Sequence, residues 1–187
     1  RTLPDKAAIQ LNDTHPAVSV AELMRILLDD HGLDFDEGWD ITRRTFSYTN
    51  HTLLPEALES WPVPLFERLL PRHMQIVYAV NSRLLAEARR SGHFDDGAIG
   101  AISLIDEHGG RRVRMGNLAF AGSHSVNGVS ALHTDLMKET VFADLHRLYP
   151  ARINNKTNGV TFRRWLMQCN PGLTALIRDA IGDRFLD

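Results

Sequence analysis

The sequence predicts an α/β fold, in which strands and helices alternate along the chain. Short runs such as AAIQLND at residues 7–13 and TFSYT at residues 45–49 have the length and the apolar or β-branched composition of strands. The segments between such runs are longer and carry apolar residues at helical spacing. This alternation is typical of a sheet whose faces are covered by helices.

The first half of the chain is predicted to contain two strands and three helices. They are strands at residues 7–13 and 45–49, and helices at residues 19–32, 34–44 and 71–92. The first strand is expected to be buried and to end at Asn12. Ser19 and Glu22 form a capping-box pattern at the start of the first helix. Pro71 fits the first position of the long helix, and Gly92 fits its end.

The second half is predicted to contain further strands and helices. They are strands at residues 101–105 and 111–115, on either side of the turn EHGG, and helices at residues 130–142 and 170–182. Asn170 is the expected cap of the last helix, Pro171 its first residue and Gly182 its end. The residues expected to face inward from this helix are Leu173, Leu176, Ile177 and Ile181. A composition shift at residues 150–155 is the one candidate domain boundary.

The composition describes an ordinary globular protein and excludes some partners. Hydrophobic residues are 43% and charged residues 24% of the 187, which allows a sizeable core. A net charge of -2 gives no attraction to nucleic acid or to an anionic membrane, and no apolar run reaches the roughly 18 residues of a membrane span. Cys169 is the only cysteine, so a reducing, cytoplasmic setting is expected. The chain has no initiator Met or signal-peptide pattern, and we expect a piece of a longer protein.

Polar and ionisable residues cluster around the ends of several predicted strands. In open α/β sheets, ligands bind outside the carboxyl ends of the strands, so four such clusters could line one crevice. The clusters are Asp13 with His15, Asn50 with His51, Ser123 and His124 with Asn127, and Asn158 with Gly159.

Each cluster also has a purely structural interpretation. Asp13 suits a turn or a helix cap, and a single histidine at a strand end is often a satisfied structural group. Gly122 and Gly128 could serve only to permit turns. Asp13, His15, His51 and His124 could together suggest a metal site, but no closely spaced ligand pair supports zinc or iron. Ser123 and His124 are a poor nucleophilic pair, because adjacent residues on an extended chain point apart.

Five segments, taken together and in order, resemble the α-glucan phosphorylases, the family of glycogen and maltodextrin phosphorylases. The segments are LNDTHP, YTNHTLLPEALESWP, LLPRHMQIVYAVN, AGSHSVNGVSALHT and NKTNGVTFRRWLMQCNPGL. The resemblance extends over nearly the whole chain. Phe162 departs from the family pattern, which usually has proline at this position, and this affects the expected geometry of the local loop.

The resemblance implies a two-lobed fold of the glycosyltransferase-B type, with two Rossmann-like domains facing each other across a cleft. Residues 1–154 would be the last part of the N-terminal lobe, and residues 155–187 would begin the C-terminal lobe. Family members use inorganic phosphate to cleave the terminal α-1,4 bond of a glucan, giving glucose 1-phosphate. Their cofactor is pyridoxal phosphate, and its Schiff-base lysine would lie outside this chain. The parent protein would be a homodimer.

The same resemblance assigns substrate-binding residues. His51 and Asn158 would bind the 6-hydroxyl of the transferred glucosyl unit, which suits an imidazole and an amide because each offers a donor and an acceptor. Val129 would pack against that sugar. Asp13 and His15 would contact sugar hydroxyls on the acceptor side of the cleft.

The remaining assignments concern the cofactor and the competing functions. Trp165 would pack near the cofactor, while Arg163 and Arg164 could equally be structural ion-pair residues. No residue of this chain would act as the catalytic acid or base, and the chain alone would be inactive. Two other functions stay open at this point: a non-catalytic carbohydrate-binding module, and a metal-dependent hydrolase built on Asp13 and the histidines.

Overall fold

The chain forms two compact units, the first running to Lys156 and the second starting at Thr157. A computed structural model describes residues 2–186. The break between the units comes two residues after the boundary predicted between residues 154 and 155. The assignment of these parts to two lobes of a larger protein stays a prediction.

The secondary structure is a mixture of helices and strands, which confirms the predicted α/β class. The α-helices are α1 (Leu3–Lys6), α2 (Val18–Arg25), α3 (Phe35–Thr45), α4 (Val63–Leu69), α5 (Pro71–Ser91), α6 (Asp96–Ile102), α7 (Met115–Ala121), α8 (Ala131–Glu139), α9 (Ala143–Leu148) and α10 (Pro171–Ile181). The strands are β1 (Ile9–Asn12), β2 (Phe46–Thr49), β3 (Ser60–Pro62), β4 (Ile105–Asp106), β5 (Arg112–Arg114), β6 (Ser125–Gly128) and β7 (Ile153–Asn155). Short π-helical or 3-10 segments lie at Ile26–Asp30, Pro55–Leu58, Arg163–Gln168 and Asp183–Leu186.

Two sheets organise the first unit. The larger has the strand order β1-β2-β6-β7, and all of its neighbouring strands are parallel. Parallel neighbours need crossover connections, and the helices between these strands supply them. The smaller sheet has the order β3-β5-β4 and is antiparallel. Because the larger sheet is parallel, all of its carboxyl strand ends lie along one edge.

Aromatic side chains fill the core around strand β2. Phe46 and Tyr48 of this strand are fully buried, as are Phe120 and Phe142. The Phe142 ring packs edge-on against Tyr48 with ring centroids 6.2 Å apart, and lies 5.4 Å from the centroid of Phe120. Such aromatic pairs contribute about 0.5–1.5 kcal/mol beyond the burial of their area. Aromatic packing therefore stabilises the inner strand β2.

Several helix boundaries lie where the sequence predicts them. Asp34 caps α3, its side chain accepting a hydrogen bond from the amide of Glu37, and Asn170 caps α10 in the same way. Pro71 is the first residue of α5. Gly92 ends that helix at a φ of 70°, a left-handed conformation that glycine adopts without strain.

Two predictions near the start of the chain are wrong. Ser19 does not cap a helix, because α2 already begins at Val18. The Ser19 hydroxyl donates instead to the carbonyl of Pro16, which precedes the helix. Strand β1 ends at Asn12 as predicted, but only Leu11 is buried in it and Ile9 is 42% exposed. The reason is its position, because β1 is an edge strand of the parallel sheet.

The predicted strand at residues 101–105 is wrong for four of its five residues: Ala101 and Ile102 end a helix, and Ser103 and Leu104 are irregular. Asp95 caps α6 by accepting a hydrogen bond from the amide of Ala98, and the helix continues to Ile102. Only Ile105 and Asp106 pair as strand. The predicted strand at residues 111–115 and the predicted helix at residues 130–142 are likewise shorter than expected, because α7 begins at Met115 and α8 ends at Glu139.

The apolar face of α10 is not covered as the sequence suggests. Leu173 is 42% exposed, and Leu176 and Ile181 are each 65% exposed, whereas Thr174 is buried. The second unit has about 30 residues, which is too few to enclose a core of its own. The inward orientation predicted for this face is therefore wrong for Leu173, Leu176 and Ile181, whereas Ile177 is half-buried.

Candidate functional site at the carboxyl edge of the parallel sheet

The carboxyl ends of the parallel strands lie in register. Asn12 pairs with Thr49, and Thr49 pairs with Asn127. Backbone bonding continues one residue past the strands, with the amide of Asp13 donating to the Thr49 carbonyl at 2.9 Å and the amide of Asn50 donating to the Asn127 carbonyl at 2.9 Å. This edge therefore brings together the cluster of Asp13 and His15 and the cluster of Asn50 and His51. Of the third predicted cluster, only Asn127 lies at this edge.

A chain of side-chain hydrogen bonds crosses three strands at this edge. The Gln10 amide donates to the Thr49 hydroxyl at 2.7 Å, and this hydroxyl donates to Asn127 Oδ1 at 2.8 Å. Asn127 Nδ2 donates to the Gly128 carbonyl at 2.9 Å. Since a carbonyl oxygen can only accept, the amide of Asn127 has a defined orientation. Asn127 thus holds the strand ends in position.

His51 lies exposed beside Asn12. Its Nε2 is 2.7 Å from Asn12 Oδ1, so Nε2 is the nitrogen that carries the proton in the neutral ring. Nδ1 of His51 is then the hydrogen-bond acceptor. A hydroxyl group of a ligand is a suitable donor to that nitrogen.

Asp13 and His15 lie in a tight turn that follows strand β1. Asp13 has a φ of 66°, and its Oδ1 accepts a hydrogen bond from the amide of Thr14 at 2.7 Å. The turn role that the sequence left open for Asp13 is therefore present, and it uses one carboxylate oxygen. His15 Nδ1 lies 3.2 Å from Glu59 Oε2, which also accepts from the hydroxyl of Thr14.

Glu59 was not among the residues predicted from the sequence. It lies 45 residues after its partner Thr14 and also has a positive φ, 48°. Non-glycine residues rarely adopt this conformation, which is often found at functional sites. No local pattern links the two segments, so the sequence carries no signal that would have identified this contact.

Three buried or half-buried residues support the edge from beneath. Asn50 is fully buried, and its Nδ2 donates to the hydroxyl of Tyr48 at 3.0 Å. Its Oδ1 lies 2.8 Å from His133 Nε2. Burial raises the pKa of Tyr48 well above its ordinary value of 10.0, so the phenol stays neutral. His133 was also missed: its place three residues after Ser130, the N-cap of α8, indicates a first-turn position but not the contact with Asn50.

Gly128 permits a close approach rather than a turn. A Cβ atom at this position would lie 2.4 Å from Thr134 Oγ1 and 2.9 Å from Thr134 Cα. Gly122 has the same role at the other end of β6, where a Cβ would lie 2.5 Å from a methyl group of Val20. Val129, the residue expected to contact the sugar, follows Gly128 and is half-buried.

Ser123 and His124 do not lie at this edge, which corrects the sequence-based grouping. Both precede β6 and so lie at the amino edge of the sheet, where His124 Nδ1 is 3.2 Å from the carbonyl of Arg43. A metal site that includes Asp13, His15, His51 and His124 is therefore wrong. Among residues 2–186, no three His, Cys, Asp or Glu side chains lie close enough together to hold a metal ion.

The second unit holds Asn158 and Trp165. Asn158 follows β7 by three residues and is exposed, as is Gly159. Trp165 is 63% exposed and Phe162 is 55% exposed. In the described part of the chain, Arg163 and Arg164 make no ion pair, so the structural role considered for them is not seen there.

None of the three lysines of this chain is buried, whereas the lysines that form Schiff bases with cofactor aldehydes usually are. Such an amine must be unprotonated, which usually requires a desolvated site. Lys6 and Lys156 are exposed, and Lys156 Nζ donates to Asn154 Oδ1 at 2.5 Å. Lys138 is half-buried, and its Nζ is 3.3 Å from a carboxylate oxygen of Asp135.

A family model described as carbohydrate phosphorylase matches residues 1–187. The chain belongs to the carbohydrate phosphorylase family. It is 52% identical over 185 residues to the brain form of glycogen phosphorylase from Rattus norvegicus, and 52% identical over 185 residues to that from Homo sapiens. It is 51% identical over 183 residues to the muscle form from Homo sapiens.

The matched region is nearly the whole chain but a minor part of each relative. It covers 99% of this chain and 22% of the brain forms, and 98% of this chain and 22% of the muscle form. The parallel sheet and the helices that cover it are consistent with a part of the fold that the resemblance to phosphorylases implied. Within residues 2–186, no helix is long and apolar enough to cross a membrane.

Proposed function

We propose that the protein containing this chain is an α-1,4-glucan phosphorylase. It cleaves the terminal bond of the glucan with inorganic phosphate and releases glucose 1-phosphate. The observation that carries the proposal is the match to carbohydrate phosphorylases over residues 1–187, which includes the complete carboxyl edge of the parallel sheet. The names of the relatives, glycogen phosphorylases, point to glycogen or a related glucan as the substrate.

The geometry of the edge supports a sugar ligand. It combines an imidazole, amides, hydroxyls and a carboxylate, and these groups bind sugar hydroxyls through directional hydrogen bonds. His51 presents Nδ1 as an acceptor because Asn12 occupies its Nε2. We assign this nitrogen to the 6-hydroxyl of the transferred glucosyl unit, with Asn158 as the second partner of the same hydroxyl and Val129 packed against the ring.

Asp13 and His15 are assigned to the acceptor side of the glucan. The one Asp13 oxygen used in its turn leaves the other available for a sugar hydroxyl. His15 is oriented by Glu59. These residues bind and orient the substrate, and well-positioned groups of this kind can contribute several kcal/mol to lowering a barrier.

The proposed cofactor is pyridoxal phosphate, bound through a lysine that is not among Lys6, Lys138 and Lys156. In the family its phosphate group takes part in proton transfer, so the residues of this chain supply position and shape. Trp165 has an exposed ring available for packing against it. Cytoplasmic localisation and a homodimeric parent are part of the proposal, while nucleic acid and membranes are not expected partners.

The test is an assay of the full-length protein with maltodextrin. We expect release of glucose 1-phosphate that requires inorganic phosphate, and loss of this activity when the cofactor is removed. Reduction with borohydride should label one lysine outside this chain. Residues 1–187 expressed alone should release no product and should not be labelled at a single lysine in stoichiometric amount.

A non-catalytic carbohydrate-binding protein would behave differently. It would bind maltodextrin without releasing glucose 1-phosphate at any phosphate concentration, and borohydride would label no lysine. That result would replace the phosphorylase proposal.

A further inference from the structure

His133 contacts both the side chain and the backbone of Asn50. Its Nε2 lies 2.8 Å from Asn50 Oδ1 and 3.1 Å from the carbonyl oxygen of Asn50. A backbone carbonyl can only accept a hydrogen bond, so His133 Nε2 is the donor to both oxygens. The Asn50 carbonyl belongs to the peptide bond that leads directly into His51. His133 therefore holds the peptide from which the His51 side chain extends.

The position of His133 is itself well determined. Ser130 caps α8 and accepts a hydrogen bond from the His133 amide at 3.2 Å, which places His133 in the first turn of that helix. The absence of a side chain at Gly128 makes room for the ring, because a Cβ there would lie 2.9 Å from His133 Cδ2. The ring is thus held between a capped helix and the end of strand β6.

The other contacts of Asn50 complete the arrangement. Asn50 is fully buried and its Nδ2 donates to the Tyr48 hydroxyl, so its amide cannot rotate without losing a buried hydrogen bond. On the opposite side, Asn12 fixes the ring of His51 through Nε2. One end of His51 is therefore fixed by Asn12, and its backbone is fixed through His133.

We propose that His133 is a positioning residue that orients His51 toward the 6-hydroxyl of the sugar through Asn50. His133 touches neither substrate nor cofactor in this role. The inference rests on the proposed function, because it needs a sugar hydroxyl at His51. It adds a residue on a different helix whose loss should selectively impair recognition of that hydroxyl.

The test uses the full-length enzyme in the direction of glucan synthesis, with glucose 1-phosphate and 6-deoxyglucose 1-phosphate compared on one maltodextrin. His133→Leu should lower kcat/KM for glucose 1-phosphate about tenfold, the usual effect of losing one buried hydrogen-bond donor. For the 6-deoxy substrate, kcat/KM should change by less than about twofold, because the hydroxyl that His51 recognises is absent.

His133→Gln is the conservative variant. A glutamine amide donates hydrogen bonds at a similar reach, so it should recover most of the discrimination between the two substrates. His124→Leu is the matched control, because His124 also bonds a backbone carbonyl of the same unit but lies at the amino edge of the sheet. It should leave the ratio of the two kcat/KM values unchanged.

Three results would overturn the inference. An equal loss with both substrates in His133→Leu would mean that His133 only supports the fold. If that variant does not fold, a folded His133→Gln enzyme that has lost the discrimination would also contradict it. A wild-type enzyme that makes no glucan from glucose 1-phosphate would instead reject the proposed function, and the inference with it.

Discussion

Two residues at opposite edges of the same parallel sheet, His51 and Arg152, show how differently a polar side chain can be used. At the carboxyl edge, polar side chains such as His51 are exposed and present groups to solvent. At the amino edge, Arg152 is buried, with its guanidinium carbon 3.6 Å from the ring centroid of Tyr149. The Tyr149 hydroxyl in turn donates to Glu87 at 2.7 Å. Polar groups there hold elements together.

Burial explains the difference in chemical availability. Burial lowers the pKa of Arg152 to about 10, with the nearby Arg43 acting in the same direction. The hydroxyl of Ser123 has no hydrogen-bond partner within residues 2–186 and is closed off from solvent. The presence of polar residues at an edge therefore does not by itself give a capacity for binding: exposure and orientation decide which edge can take a ligand.

The largest expected effect concerns the glycines at the two ends of β6. Gly122→Ala and Gly128→Ala should each lower the free energy of unfolding by about 3 kcal/mol, since each new Cβ would overlap a neighbour. At Gly122 the overlap is with the side chain of Val20, whereas at Gly128 it includes the backbone of Thr134. Urea unfolding of the full-length protein measures both.

A second substitution separates the two glycine sites. Val20→Ala should partly restore stability to Gly122→Ala, so that the double variant is destabilised by less than the sum of the two single changes. Val20→Ala should not offset the destabilisation caused by Gly128→Ala. Additive behaviour at Gly122 would contradict the close approach described for the amino edge.

The next effect compares a histidine from each edge. In the full-length enzyme, His51→Ala should lower kcat/KM, and the loss should correspond to about 1–3 kcal/mol of transition-state stabilisation, as for loss of a polar partner of the substrate. His124→Ala should change it by less than about 0.5 kcal/mol, a typical value for a surface position away from the site. Steady-state phosphorolysis rates supply both numbers.

Asn158 extends this comparison to the second unit. If His51 and Asn158 act on one hydroxyl, Asn158→Ala should have a similar effect, and the double variant should lose less than the sum. With a 6-deoxy substrate, the single variants should match the wild-type enzyme. Equal losses with and without the 6-hydroxyl would remove both residues from this role.

A smaller effect is expected at Asp13, where the carboxyl edge combines a turn with a binding group. Asp13→Asn should lower activity about tenfold, since one charged acceptor for a sugar hydroxyl is lost. Asparagine tolerates the φ of 66° and keeps the side-chain oxygen that bonds the next amide, so the unfolding free energy should stay within about 0.5 kcal/mol. Cofactor absorbance should be retained, and its loss would assign Asp13 to the cofactor site.

The smallest effect is a pH dependence shared by both edges. Burial raises the pKa of Tyr48 and of Tyr149 above the ordinary 10.0, at Tyr149 with help from Glu87. Below pH 10 the two tyrosines are protonated in the folded and in the unfolded protein. As the pH rises above 10, they lose protons in the unfolded protein first, so the free energy of unfolding falls. The loss should be below about 1 kcal/mol per tyrosine at pH 10.5.

Phenylalanine variants identify the groups responsible. Tyr48→Phe and Tyr149→Phe should each make the free energy of unfolding fall less steeply between pH 9.5 and about 10.5, because each variant removes the contribution of one tyrosine. Each also has a cost that does not vary with pH, because a buried hydrogen bond is lost, so the slopes rather than the absolute values are compared. An unchanged slope in both variants would mean that other groups titrate.

The fold class, the family and the boundaries of some helices could be predicted from local sequence features, whereas α1, α4, α6, α7 and α9 were not predicted. Asp34, Pro71, Gly92 and Asn170 act locally, through capping hydrogen bonds and backbone conformation, so their effects can be predicted from neighbouring residues. The strand predicted at residues 45–49 is found at Phe46–Thr49, and it could be predicted because its β-branched and aromatic composition is a local feature. Asp13 and His51 could be placed after strands without knowing the sheet.

Which strand ends meet, and which residues support them, could be seen only in the three-dimensional structure. His51 follows strand β2, whereas His124 precedes the parallel strand β6, because the apolar residues before His124 form helix α7 and not a strand. The two histidines therefore lie at opposite edges of the sheet. Thr14 and Glu59 are 45 residues apart, and His133 reaches Asn50 across 83 residues. Contacts of this range depend on how the strands order and how the helices pack between them, and neither composition nor periodicity encodes that pairing.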